Sequence, residues 1–144
     1  MERLRSTYGA KEAHPDWITW LSGLVPGLHH AVRATRAGAV TVLTPAYPPF
    51  LSAPPHQGAE LLAVPLVAEA EMGLMHFSVD WDALSAALAR PTTGLLLLCN
   101  PHNPSGRVFS RQELTRIAAL CVEHDVTLCS DEVWGPFDVK RHTM

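Results

Sequence analysis

Apolar residues recur along this chain in two ways, as short unbroken runs and as positions spaced for one face of a helix. Val40-Thr41-Val42-Leu43-Thr44 and Leu95-Leu96-Leu97-Leu98-Cys99 are continuous runs of the length and composition that predict strands buried on both faces. Leu61 to Leu66 and Val126-Thr127-Leu128-Cys129 predict two further strands. Between them lie helix patterns. Leu28, Val32 and Arg36 recur at helical spacing within 25–37, with Pro26 in the first turn and Gly38 placed as a C-terminal cap. Asp80 can cap a helix over 81–89 that puts Leu84 and Leu88 on one face. Ser110 and Glu113 form a capping box opening a helix to about His124, with Leu114, Ile117, Ala118, Cys121 and Val122 as its apolar stripe.

Prolines punctuate the rest. Pro45, Pro48 and Pro49 make 45–50 a loop, and Pro54-Pro55 should cut short any helix over 51–58. Residues 67–78 read as a surface excursion. Trp17, Ile18, Trp20 and Leu21 form a short apolar run ending at Ser22-Gly23, and residues 1–16 read as a loose approach segment to a single folded unit, 17–144.

Strands alternating with helices predict an α/β fold with a mostly parallel sheet. Ligands of such sheets bind outside the carboxyl ends of the strands. Three polar loops, at Tyr47, Asn103 and Asp131, are therefore expected to meet on one edge. Asp131 follows a buried strand, where a carboxylate needs a partner: a cation, a metal or a protonated heterocycle. Gly23-Leu24 opens a helix after the apolar run, so its free N–H groups could receive an anion such as phosphate. Asn100-Pro101-His102-Asn103-Pro104 places two amides and an imidazole between two prolines, a rigid loop suited to aiming a side chain. Tyr47, among prolines, offers a flat ring.

Composition narrows the chemistry further. A net charge of −3 argues against nucleic acid or an anionic membrane as a partner. No apolar run approaches the roughly 20 residues that span a bilayer, and a cytoplasmic location is expected. The eight histidines and three cysteines show no zinc spacing, so no metal site is expected. Cys99, Cys121 and Cys129 read as buried free thiols of a reducing compartment. Neither a phosphate-loop motif nor a G-x-G-x-x-G is present, which disfavours nucleotide binding.

Leu98 to Val108, containing Asn100-Pro101-His102-Asn103-Pro104-Ser105-Gly106-Arg107, resembles the signature of fold-type I pyridoxal-phosphate enzymes, and within them the cystathionine β-lyase-like branch of class I/II aminotransferases. Pro45 to Phe50, the Asp80-Trp81-Asp82 helix entry and Ser130-Asp131-Glu132 follow in the family's order. The resemblance implies part of the large domain of the aspartate-aminotransferase fold, with pyridoxal 5'-phosphate as cofactor. It implies that Asp131 pairs with the protonated pyridine nitrogen, Asn103 bonds the ring hydroxyl and Tyr47 stacks on the ring. Gly23 and Leu24 would receive the phosphate. Trp134 stands where the family usually has tyrosine or histidine, and its indole can donate but not accept.

The resemblance also implies a Schiff-base lysine some tens of residues beyond Asp131. The two lysines of this chain, Lys11 and Lys140, fit neither that spacing nor that role. The expectation is a fragment of a carbon–sulfur β-lyase or aminotransferase acting on amino acids, inactive alone. A homodimer is implied for the complete enzyme. The competing expectation is a non-catalytic remnant or subunit that binds a partner through open strand edges.

Overall fold

The computed structural model describes residues 11–135. In chain order its elements are α1 (Leu24–Thr35), β1 (Ala39–Thr44), α2 (Pro48–His56), β2 (Glu60–Pro65), β3 (Val67–Glu71), β4 (Leu74–Ser78), α3 (Trp81–Leu88), β5 (Thr93–Cys99), α4 (Arg111–Glu123) and β6 (Thr127–Asp131). Four strands form one sheet in the order β2-β1-β5-β6, and every pairing in it is parallel.

The sheet is covered on both faces. Leu95, Leu97 and Cys99 face Leu28 and Val32 of α1 and Phe50 and Ala53 of α2. Leu96 and Leu98 face Leu84 and Leu88 of α3 and Ile117 and Cys121 of α4. Strand side chains alternate between faces, so a strand covered on both sides must be apolar at successive positions. That is why β5 is an unbroken leucine run. Each fully buried leucine contributes roughly 1.5–3 kcal/mol.

The connections set where a ligand can sit. From β1 the chain crosses over α2 to β2, on one side; from β5 it crosses over α4 to β6, on the other. Strand order therefore reverses between β1 and β5. The crevice at the carboxyl ends of these two strands is the topological switch point of the sheet.

Several local expectations need correction. The αL cap of α1 is Arg36 (φ 51°), not Gly38. Gly38 serves space instead: a Cβ there would lie 3.3 Å from the Thr92 carbonyl oxygen. Pro48 and Pro49 begin α2 rather than continuing a loop, because the first helical turn has no need of their missing N–H groups. Pro54 and Pro55 lie inside α2. The two bonds they forfeit fall in its last turn, where Pro54 packs into the core. The N–H groups of Gln57, Gly58 and Ala59 recover the carbonyls of Ala53, Pro54 and Pro55.

Residues 67–78 are an ordered hairpin, β3–β4. Its two-residue turn, Met72-Gly73, has both φ positive (49° and 80°), the geometry that matches strand twist and that Gly73 makes accessible. Before α1 the chain forms a 3-10 turn, Pro15–Trp17. The apolar stripe of α4 is only partly covered, since Val122 and Ala118 are exposed. β6 is likewise largely exposed rather than buried. Residues 1–10 and 136–144, including most of the approach segment and Lys140, lie outside the described residues.

Candidate functional site

The loop after β5 is fastened at both ends. The Asn100 N–H donates to the Asp131 carbonyl oxygen at 2.9 Å, and its side-chain Oδ1 accepts the Phe109 N–H at 3.0 Å. The amide that leads the loop thus ties it to the end of β6 and to the start of the next element. Within the loop, the His102 N–H donates to Arg107 (2.8 Å) and the Gly106 N–H to His102 (2.7 Å). Arg107 anchors the far side. Its guanidinium donates to the Phe77 carbonyl at 2.7 Å, pairs with Glu113 and lies 4.3 Å over the Phe109 ring.

Leu24, Tyr47, Cys99, Asn103, Asp131, Val133 and Trp134 line one cavity of about 220 Å³. It lies at the carboxyl edge of the sheet, with Tyr47 following β1 and Asn103 following β5. Five residues selected from sequence thus share one wall: Leu24, Tyr47, Asn103, Asp131 and Trp134. The sixth, Gly23, is beside them as the N-cap of α1, with no side chain capping that end. Cys99 and Val133 also line the cavity and were not foreseen as site residues.

Asp131 ends β6 and is only 7% exposed. Its Oδ1 accepts the Val133 N–H at 3.0 Å, which leaves acceptor capacity beside the cavity. Among the described residues it forms no ion pair. Two thiols lie near it. Burial pushes the Cys99 thiol up, the Asn103 backbone opposes this, and the Asp131 carboxylate adds to the rise. Cys129 is raised by burial and then by Asp131. Cys99 is buried, as expected, whereas Cys129 is only half-buried, against the expectation of three buried thiols. Cys121, away from this edge, is pushed up to about 11 by burial alone.

Tyr47 is the N-cap residue of α2, lines the cavity and keeps 37% of its surface open. Trp134 is 49% exposed. The arrangement combines an acceptor-only carboxylate, an amide, a partly exposed aromatic ring and a helix N-terminus. Such a set suits a planar heterocycle that carries a ring cation, a hydroxyl and an anionic group. Among the described residues no group of three or more His, Cys, Asp or Glu side chains could hold a metal ion, and no helix is long and apolar enough to cross a membrane.

Fold and site together define a parallel α/β protein with a ligand crevice at its switch point. Residues 1–142 match the aminotransferase class I and II family, and the chain belongs to that family. It is 38% identical over 141 residues to cystathionine beta-lyase PatB of Bacillus subtilis, covering 96% of this chain and 35% of PatB. Kynurenine–oxoglutarate transaminase 1 of Rattus norvegicus is 45% identical over 78 residues, 51% of this chain and 18% of that protein. Among solved structures, cystalysin from Treponema denticola, which contains a pyridoxal 5'-phosphate cofactor, superposes with a TM-score of 0.75 at 32% identity. That superposition covers 83% of this chain and 30% of cystalysin. The fold is thus part of the aspartate-aminotransferase fold, and the chain spans about a third of the length of PatB and of cystalysin.

Proposed function

We propose that this chain forms the coenzyme-holding part of a pyridoxal 5'-phosphate-dependent enzyme acting on amino acids, a carbon–sulfur β-lyase or an aminotransferase. The observation that carries the reading is the buried Asp131 carboxylate sharing one cavity with Asn103, Tyr47 and the first turn of α1. Asp131 would hold the proton on the pyridine nitrogen, a charge-assisted bond in partly apolar surroundings. Asn103 would donate its amide to the ring hydroxyl oxygen, with Trp134 on the same cavity lining. Tyr47 would cover one ring face, and the N–H groups at Gly23 and Leu24 would receive the phosphate. When bound, the coenzyme supplies the electron sink for carbanion chemistry at the amino acid.

Lys11 is exposed and does not line the cavity. The covalent lysine, the substrate-carboxylate site and a homodimeric partner would come from the part of the relatives that this chain does not span. By itself the chain would bind the coenzyme without turning over amino acids. A second reading, partner binding without catalysis, is favoured by the exposure of Trp17, Trp20 and Val122.

The test is a fluorescence titration with 4'-deoxypyridoxine 5'-phosphate, which keeps the ring nitrogen, hydroxyl and phosphate but has no aldehyde to react with surface lysines. Asp131→Asn should weaken binding on the order of tenfold or more, the loss expected for a charged hydrogen bond. Equal affinity of the two proteins would remove Asp131 from the site and sink the coenzyme reading.

A further inference from the structure

Asn103 stands in a turn, residues 102–107, that is closed on itself. The His102 N–H donates to the Arg107 carbonyl oxygen at 2.8 Å, and the Gly106 N–H to that of His102 at 2.7 Å. Gly106 completes the reversal with φ 70°, a backbone geometry that glycine adopts without a steric penalty. These bonds hold the shape of the turn, but its place beside the cavity has to come from contacts with other elements. Arg107 supplies two of them. Its side chain is only 15% exposed. One guanidinium nitrogen donates to the Phe77 carbonyl in β4 at 2.7 Å, and another pairs with Glu113 in the first turn of α4. The same group lies 4.3 Å over the ring of Phe109, itself buried. A planar fork with fixed donor directions can meet two acceptors and a ring face at once, which a single ammonium cannot.

We infer that Arg107 is a positioning residue, which sets the Asn103 amide at the cavity by locking its turn against β4 and α4. Asn103 lines the cavity and Arg107 does not, so Arg107 acts through the turn it closes. The inference rests on the coenzyme reading above. It also gives the β3–β4 hairpin, whose strands are almost wholly exposed, a task at the site, because the hairpin supplies the Phe77 carbonyl. Methionine at 107 would keep an apolar stem over Phe109 but leave the Phe77 carbonyl and the Glu113 carboxylate without their donor, freeing the turn to shift.

The test is a double-mutant cycle on the complete chain, read by fluorescence titration with 4'-deoxypyridoxine 5'-phosphate, with circular dichroism and thermal unfolding run on each variant. Arg107→Met should weaken binding about three- to tenfold, the loss expected when one ligand hydrogen bond is misplaced. Arg107→Lys, which keeps the charge opposite Glu113 but not the fork, should fall between that variant and the wild type. In the Asn103→Ala background, Arg107→Met should cause no further loss. Fully additive losses, with Asn103→Ala itself weakened, would show that Arg107 supports only the general fold and would overturn the inference alone. An unchanged affinity in Asn103→Ala would sink the coenzyme role of Asn103 and the inference with it. If Arg107→Met fails to fold, Glu113→Ala, which frees the guanidinium from α4, takes its place in the cycle with the same non-additivity required.

Discussion

The buried His102 imidazole leaves a mark on stability through its protonation. Burial, and then the Arg107 charge, push the His102 pKa below the ordinary imidazole value, only partly offset by the Leu43 carbonyl. Above about pH 6.5 the group is neutral both folded and unfolded and has no effect. As pH falls below that value the unfolded chain takes up the proton first, so stability declines until the lower folded pKa is passed. Urea unfolding of wild type and His102→Gln between pH 7.5 and 5 checks this. The wild type should lose more stability than the variant over that range, and parallel losses would contradict the assignment. At this scale the sequence was informative because the site residues sit in loops that end strands. Tyr47, Asn103 and Asp131 could be picked from topology alone. Cys99 and Val133 could not, because an apolar residue at a strand end reads the same whether it lines a cavity or fills a core.

The elements were legible where a chemical start signal accompanied the hydrophobic pattern. Asp80 caps α3 through the Ala83 N–H at 2.9 Å. Ser110 and Glu113 form the reciprocal box at α4, with bonds of 3.2 and 2.8 Å. Glu113 has a second task that no capping pattern reveals, since it also receives Arg107. Burial alone would raise its carboxyl, but the Ser110 backbone N–H and Arg107 outweigh it and hold the pKa below the usual range. Glu113→Ala should therefore cost about 1–2 kcal/mol in chemical denaturation, more than a simple surface change. A loss under about 0.5 kcal/mol would mean that the box and the Arg107 pair contribute nothing measurable. The β3–β4 hairpin escaped detection for a physical reason. Its strands are almost wholly exposed, so they lack the alternation between core and solvent that marks a half-buried strand. The prolines of α2 misled in the opposite direction, because packing of Phe50, Ala53 and Pro54 outweighs the missing donors.

For the whole molecule, the sheet order explains both the site and its open surfaces. Reversal between β1 and β5 places the crevice, and the alternating runs of β1 and β5 cover both faces around it. Among the described residues the sheet ends at β6, where Leu128 is partly open, and the outer face of α4 leaves Val122 exposed. Trp20, at 93% exposure, adds an aromatic surface before α1. Unpaired strand edges beside apolar groups promote association. The chain is expected to self-associate with rising concentration in sedimentation velocity, and Leu128→Lys, a charge on the edge strand, should reduce it. A monomer at all concentrations, indifferent to that substitution, would show that these surfaces need no cover. Open strand edges were expected from the sequence, but which apolar positions stay open was not: α4 carries an unbroken apolar stripe, and only the folded chain shows Ala118 and Val122 exposed.

The central claim is that the switch-point cavity holds the ring of pyridoxal 5'-phosphate by Asp131. A crystal structure of the chain grown with 4'-deoxypyridoxine 5'-phosphate tests it most directly. The account predicts the ring between Tyr47 and the sheet edge, its nitrogen within hydrogen-bond reach of the Asp131 carboxylate and its phosphate at the start of α1. Density for the analogue elsewhere, or in this cavity with the ring nitrogen turned away from Asp131, would contradict it.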